Sequence, residues 1–292
     1  MTMPTLSHSE FDLRGYRFGP GHPVYLSGIE TPGLVWRDQD VLNPVAAGVF
    51  FGRDYKDVKP WGLKFTITGA DPAEAAENYF ALVKAWEAPD VRDPGDEVPL
   101  DFALHDTVRR IYGRPRDLKL TDPSDLFVLE TLKAEGTFQP SSPDLVDGVS
   151  RQLKMTMTPG RAGGFVFPIV FPWGTTQGGT RQGIISDGGG TTPTHDVLIE
   201  VHGPVSKAVV TGPGWRFGVT QNLPYDRSII LDTRRRTVLW DTGTSAAGLI
   251  SPGTRLDDIT IPPGPSEIKF TGEDQSGTST VTLTWRPTIT TL

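Results

Sequence analysis

The chain has 292 residues, a hydrophobic share of 37% and a formal net charge of −7, a length that suits two domains or one large β domain. The acidic balance argues against a general nucleic-acid binder, since such domains are usually basic. The chain has no cysteine, which excludes disulfides and thiolate metal sites, and its 33 Gly and 26 Pro, interleaved with apolar runs, favour many short strands joined by turns.

In chain order, the first ten residues lack a charged start and an apolar core, so no secretory signal is read there. The longest apolar run, Phe165 to Trp173, is short and proline-broken and does not suit a bilayer span. The expectation is a soluble protein made in a cytoplasm. Up to residue 60, apolar clusters (Val24–Leu26, Leu34–Trp36, Val49–Phe51) are separated by Gly, Pro and Asp, which predicts short strands and long connections. Trp61, Leu63, Phe65 and Ile67 then alternate with small or polar residues, a strand with one buried face.

One helix follows. Asp71 suits the N-cap, Pro72 the first turn and Glu74 the positive end of the helix dipole, and Pro89 closes it. Ala76, Phe80, Val83 and Trp86, with Tyr79 beside them, form the predicted buried stripe. Acidic residues crowd next: Glu87, Asp90, Asp93, Asp96, Glu97, Asp101 and Asp106 against Arg92 alone. Leu100, Phe102 and Leu104 alternate into a strand, His105-Asp106-Thr107 reads as a turn, and Val108–Tyr112 resumes as a second strand. On this hairpin Arg109, Arg110, Arg114, Arg116 and Lys119 gather, beside the acids. Such neighbours pair within the chain or between copies, or they are solvated charge, since exposed pairs contribute only about 0–1 kcal/mol.

Leu126–Leu132 and Leu153–Met157 read as further strands. Gly160–Gly164 reads as the boundary between two domains, 1–160 and 161–292, with Gly188–Pro193 as a second flexible joint. From Val197 onward, strands at Ala208–Thr211, Ile229–Asp232, Thr237–Trp240, Ile259–Ile261, Glu267–Thr271 and Thr280–Trp285 recur between turns, the pattern of a β-sandwich.

Few motifs suggest chemistry. Asp241-Thr242-Gly243-Thr244-Ser245 resembles the signature of pepsin-like aspartic proteases, whose chemistry needs two carboxylates sharing a proton. No second copy of it occurs, so the second Asp would come from another subunit, and a β-turn accounts for the same residues. Ser266–Lys269 has the spacing of a Ser-x-x-Lys site in a strand-like run, where that chemistry needs a helix. Glu200, His202 and His195 do not make a metal set, and no nucleotide fingerprint occurs. Arg234-Arg235-Arg236 lacks interleaved aromatics and reads as a turn or an interface. No cofactor is expected.

Several stretches in order resemble the distal tail proteins of long-tailed phages, especially the minor tail proteins of actinobacterial phages. They are Val49–Tyr55 leading into Pro60-Trp61, the helix ending Ala85-Trp86, Val98–Leu100 and Arg109–Arg116. Gly163–Pro172, Ile199–Val205, Ile261–Ile268 and Trp285–Pro287 complete the set. One place departs from that family: Thr137-Phe138-Gln139-Pro140 stands where it often has Cys or Ala followed by Asp-Pro, so no contact is carried over there. The resemblance implies a mainly β chain, with an N-terminal β-sandwich-like domain carrying one α-helix that closes into a ring, usually a hexamer. It also implies a C-terminal galectin-like β-sandwich outside the ring. Such a virion protein has no catalysis, assembles in bacterial cytoplasm, and joins the tail tube protein to the baseplate hub or tail-tip protein.

That structural connector is the leading expectation, with Arg109, Arg110, Arg114 and Arg116 as part of the contact between copies. A heterologous ring requires two different complementary faces on each copy. Two other readings stand beside it: a carbohydrate-binding module using Trp173, Trp215, Trp240 or Trp285, although tryptophans of a sandwich are more often core, and an aspartic protease using Asp241.

Overall fold

The computed structural model describes residues 5–157, 178–274 and 276–290. The chain divides into two compact units, one formed by residues 1–149 with 289–292 and the other by 150–288. The Gly160–Gly164 joint lies outside the described residues. The first residue of the strand at 151 already belongs to the second unit.

In the first unit, β1 (Phe11–Leu13), β2 (Tyr16–Phe18) and β3 (Val24–Glu30) are followed by four two-residue strands, β4 (Trp36–Arg37), β5 (Val41–Leu42), β6 (Val49–Phe50) and β7 (Tyr55–Lys56). Then come β8 (Trp61–Thr68), α1 (Pro72–Glu87), β9 (Val98–Leu104), β10 (Thr107–Leu120), β11 (Thr131–Pro140) and β12 (Leu145–Asp147). The main sheet runs β2-β1-β9-β10-β11-β8-β3. Long β10 pairs with β9 over Thr107–Gly113 and with β11 over Gly113–Leu120, and β12 joins it at Arg109 and Arg110. The alternation read in β8 holds: Trp61, Leu63, Phe65 and Ile67 are all buried.

Helix α1 starts as its sequence dictates. The Asp71 carboxylate accepts from the Glu74 backbone N–H at 2.8 Å, and Glu74 reaches back to the Ala70 N–H at 2.6 Å, a reciprocal cap that satisfies two orphan donors. Trp86 is buried as predicted, but the buried face is rotated away from the rest of the predicted stripe. Ala75, Leu82 and Trp86 are buried with Tyr79 packed beside them, whereas Phe80 is 56% exposed. At 100° per residue, Phe80 and Leu82 lie on nearly opposite sides of a helix, so one stripe cannot take both, and Leu82 is the one inside. Trp86 fixes the rotation. Its ring meets Phe65 edge-on at 5.5 Å and its Nε1 donates to the Asp117 carbonyl. A Cβ at Gly136 would lie 2.9 Å from both rings, so β11 carries a glycine where the indole needs room.

The predicted strand over 126–132 is mostly absent. A 3-10 turn, Pro123–Phe127, capped by Asp122, occupies its first part, and β11 begins only at Thr131. Leu126 packs on the core, but Phe127, Val128 and Leu129 are exposed. The proline at 123 and the capping aspartate favour a tight turn over an extended run.

The second unit contains β13 (Arg151–Thr156), β14 (Gly178–Ile185), β15 (Val197–His202), β16 (Ser206–Gly212), β17 (Trp215–Gly218), β18 (Ser228–Asp232), β19 (Thr237–Trp240), β20 (Ser266–Glu273) and β21 (Thr280–Trp285). They form a five-stranded sheet, β13-β21-β15-β18-β19, and a four-stranded sheet, β14-β20-β16-β17. One core takes Ile199, Val201, Leu231 and Leu283 from the first sheet and Val210, Phe217, Ile268 and Phe270 from the second, which makes a β-sandwich. The segment predicted as a strand at 259–261 makes only an isolated bridge from Ile261 to Thr194. The joint read at 188–193 is pinned: the N–H groups of Gly188, Gly189 and Thr191 donate to Gly264, Pro263 and Thr288. A last strand, β22 (Thr288–Ile289), pairs with β12 and returns the chain to the first unit from Ile289.

Candidate interaction surface

The arginines of the β9–β10 hairpin are each placed by the sheet register. Arg110 stands opposite Asp101, and the two meet with Nε to Oδ1 at 2.6 Å and Nη2 to Oδ2 at 2.7 Å. Both residues are buried, at 7% and 3% exposure. Burial works against the Arg110 charge, but hydrogen bonds to the Asp101 and Tyr112 side chains more than offset it and raise its pKa above the usual arginine value. Arg109 faces its cross-strand partner Asp147 at 3.3 Å. Arg114 reaches into the acidic loop and donates to the backbone carbonyls of Arg92, Asp93 and Asp96. Arg116 is exposed and closes no ion pair among the described residues. The acidic and basic runs therefore meet inside the subunit at several points, and of the four arginines Arg116 presents its charge to solvent.

A different surface stands out between β3 and β8. The residues from Leu34 to Lys56 leave the main sheet as a separate hairpin in which β4 pairs with β7 and β5 with β6. Asn43 accepts from the Val45 and Ala46 N–H groups near its tip, and Asp40 accepts from Gly52 at 2.9 Å. Arg37 and Arg53 lie over the Tyr55 ring at 5.7 and 5.3 Å. At the base Lys56 binds Asp144 at 2.7 Å, which ties this arm to the connection before β12. Val41, Leu42, Val45, Phe50 and Phe51 are exposed, Phe51 at 88%, and no arm residue enters the core of the first unit. A two-stranded hairpin without a covering layer is at best marginally stable in water. Large apolar side chains exposed together on one short arm make it a candidate contact site. Sequence reasoning saw the clusters Leu34–Trp36 and Val49–Phe51 but took them as ordinary strands. No local signal separates them from Val24–Leu26, a cluster of the same length that enters β3 and buries Val24.

In the second unit the protease-like motif is a hairpin end. Gly243 donates to the Trp240 carbonyl and sits at φ +83°, and Trp240 donates to Thr244. Asp241 binds Arg227 at 2.9 Å, and the same guanidinium covers the Trp240 ring at 4.7 Å. Its carboxylate thus faces a cation, where an acid protease needs a second carboxylate. Trp215 and Trp285 are core residues, their indole N–H groups spent on the carbonyls of Thr260 and Gly188, and Trp173 lies outside the described residues. His202 binds Ser228. Arg235 and Arg236 lie near Asp232 and Asp257, while burial and the neighbouring Arg235 and Arg286 bring Arg234 down to about 10. Among the described residues no group of three metal-binding side chains occurs, and no helix is long and apolar enough to cross a membrane.

No protein-family model matches the sequence, and no curated protein matches it. Solved structures do. Over 95% of its length the chain superposes on 98% of the SPP1 Dit protein (gp 19.1), described as a paradigm of the hub adsorption apparatus in Gram-positive infecting phages, with a TM-score of 0.58 and 11% identity. Two structures of the phage P2 baseplate in its activated conformation, with Ca and with Sr, each match 87% of this chain and 92% of their own, at a TM-score of 0.48 and 11% and 10% identity. The chain is mostly β and shares its fold with that phage hub protein.

Proposed function

We propose that this protein is a structural component of a phage tail tip. In this reading it is a distal tail connector whose first unit assembles with identical copies into a ring, usually of six, between the tail tube protein and the baseplate hub or tail-tip protein. The second unit corresponds to the galectin-like sandwich on the outside of the ring. The observation that carries the proposal is the apolar arm at 34–56, which its own subunit leaves uncovered. Agreement with the SPP1 hub protein over nearly the whole of both chains supports it. A ring made by head-to-tail contacts needs surface of this kind, because each copy must offer a patch that its neighbour's different patch covers. The charged hairpin contributes to the same contact through Arg116, with Arg109, Arg110 and Arg114 holding the hairpin in shape.

The test is the state of the purified full-length chain. Mass photometry and negative-stain imaging are expected to find closed rings at moderate salt. A protein that stays monomeric at every concentration, alone and with tail tube and hub proteins added, overturns the proposal.

A further inference from the structure

The second unit holds a cleft at the β17 edge of its four-stranded sheet. Its volume is about 410 Å³, within the size range of small-ligand sites. One wall is the end of the β16–β17 hairpin, and the other is the loop 251–258, which closes on a 3-10 turn, Leu256–Asp258. Both walls are pinned by hydrogen bonds of the subunit itself. Ser251 donates its N–H to the Gly218 carbonyl at 2.8 Å, and the Trp215 indole N–H donates to the Thr260 carbonyl at 2.7 Å. Gly214 and Gly253 turn the two walls at φ +80° and +89°, and the space where a Cβ would stand at either is empty within 4 Å.

The charges of this cleft are unspent. On β17 Trp215 and Phe217 face the core, so Arg216 between them projects to the outer face, where the register sets it beside Thr211. Arg255 and Asp258 line the loop wall. All three charged side chains are exposed, and among the described residues none of them closes an ion pair or a side-chain hydrogen bond. Several other exposed cations of this unit are answered. Lys269, next along the same row of the sheet, pairs with Glu267 at 3.6 Å, Arg236 with Asp257 at 3.2 Å and Lys207 with Glu273 at 2.7 Å. The cleft thus keeps two free guanidinium groups against one free carboxylate, in a chain of net charge −7.

We infer that this cleft binds a small hydroxylated anion, a sugar acid or a sugar phosphate, a function separate from assembly. Guanidinium groups bond carboxylate and phosphate oxygens in pairs, which assigns Arg216 and Arg255 to the anionic group. Ionised Asp258 can only accept hydrogen bonds. It opposes a bare anion and suits a ligand that also brings hydroxyl donors, and Thr211 adds a hydroxyl of its own.

Saturation-transfer NMR on the full-length chain tests this, with glucuronate, glucose 6-phosphate, glucose and inorganic phosphate as probes. At least one sugar anion is expected to bind and glucose is not, and the sugar anion that binds names the anionic group. Arg216→Ala with Arg255→Ala should weaken that binding at least about tenfold. Lys154→Ala, at an exposed and unpaired cation on β13, should leave it unchanged. Asp258→Asn should weaken the sugar anion and strengthen inorganic phosphate. If the double variant fails to fold, Arg216→Lys and Arg255→Lys singly keep the charge, lose the fork and should weaken binding as well. Failure of both sugar anions to bind, or binding that survives loss of the arginines, overturns the inference. Inorganic phosphate that binds the wild-type chain as tightly as the sugar anion overturns it too. None of these outcomes bears on ring formation.

Discussion

Arg110 and Asp101 face each other across β9 and β10 as a two-pronged ion pair, with both contacts under 2.8 Å and both side chains out of water. The register that aligns them also aligns Phe102 with Arg109 and Leu100 with Ile111, so the pair is part of the sheet's alignment. Losing one member leaves a buried charge. Arg110→Ala is expected to cost about 3–5 kcal/mol, whereas Arg110→Met with Asp101→Leu together stay near wild type. Urea denaturation of the three chains checks this. A loss under about 1 kcal/mol for the single variant would show that the pair is solvated.

Arg114 and Arg116 separate two roles for one basic strand. Arg114 holds three carbonyls of the loop at 92–96. Arg114→Glu should free that loop at a cost of about 1–3 kcal/mol, seen as faster proteolysis and hydrogen exchange there. Arg116→Glu removes an exposed charge and should change stability by no more than about 0.5 kcal/mol while weakening ring formation. The measurement is a melting curve beside mass photometry for each variant. Unaltered rings for Arg116→Glu would take this residue out of the interface.

Phe51→Glu places a charge at the most exposed aromatic of the arm. The subunit should melt within about 0.5 kcal/mol of wild type, because the arm contributes nothing to its core, and assembly should fall at least tenfold in apparent affinity. Sedimentation over a dilution series reads the second effect. Intact assembly with Glu at this position would mean that the tip of the arm stays in water.

Asp274 carries a prediction about acid. Although burial alone would raise its pKa, hydrogen bonds from Ser276 and Ser279 hold it down at about 2. A group whose folded pKa is depressed stabilises the fold above its unfolded value, near 3.9, and loses that contribution as pH falls through the folded value. The wild-type chain should therefore lose about 1–2 kcal/mol more than Asp274→Asn does between about pH 4 and pH 2. Thermal melts at spaced pH values check the slope. Parallel profiles would show that the carboxylate is not held by the loop.

Local chemistry made parts of this fold legible in the sequence. The alternation of Trp61, Leu63, Phe65 and Ile67 and the Asp71–Glu74 cap depend on neighbours a few residues away, and both are found as read. The strands of the sandwich at Val197–His202, Thr237–Trp240 and Thr280–Trp285 follow for the same reason. What failed depended on distant partners. The helix rotated because Trp86 had to meet Phe65 and Gly136, which the pattern of α1 does not contain. The exposed apolar residues were hidden more deeply. Val41, Phe50, Phe127 and Val128 have the composition of core residues, and only the paths of the strands around them show that no core lies beside them. Arg110 was misleading in the opposite direction, since a charge in a basic run looks exposed until the register puts Asp101 across from it.

The pairing of β12 with β22 has a consequence for how such proteins diversify. The sandwich leaves the first unit just after β12 and comes back at Ile289, in the strand that lies against β12. Entry and exit are therefore neighbours, and residues 150–288 form a cassette bounded by two adjacent junctions. A gene can exchange, shorten or enlarge such a cassette without altering any other part of the host sheet, because a tight pair of junctions is the geometry in which domain insertion is tolerated. Selection on the inserted module can then proceed while the sheet and its arm stay fixed.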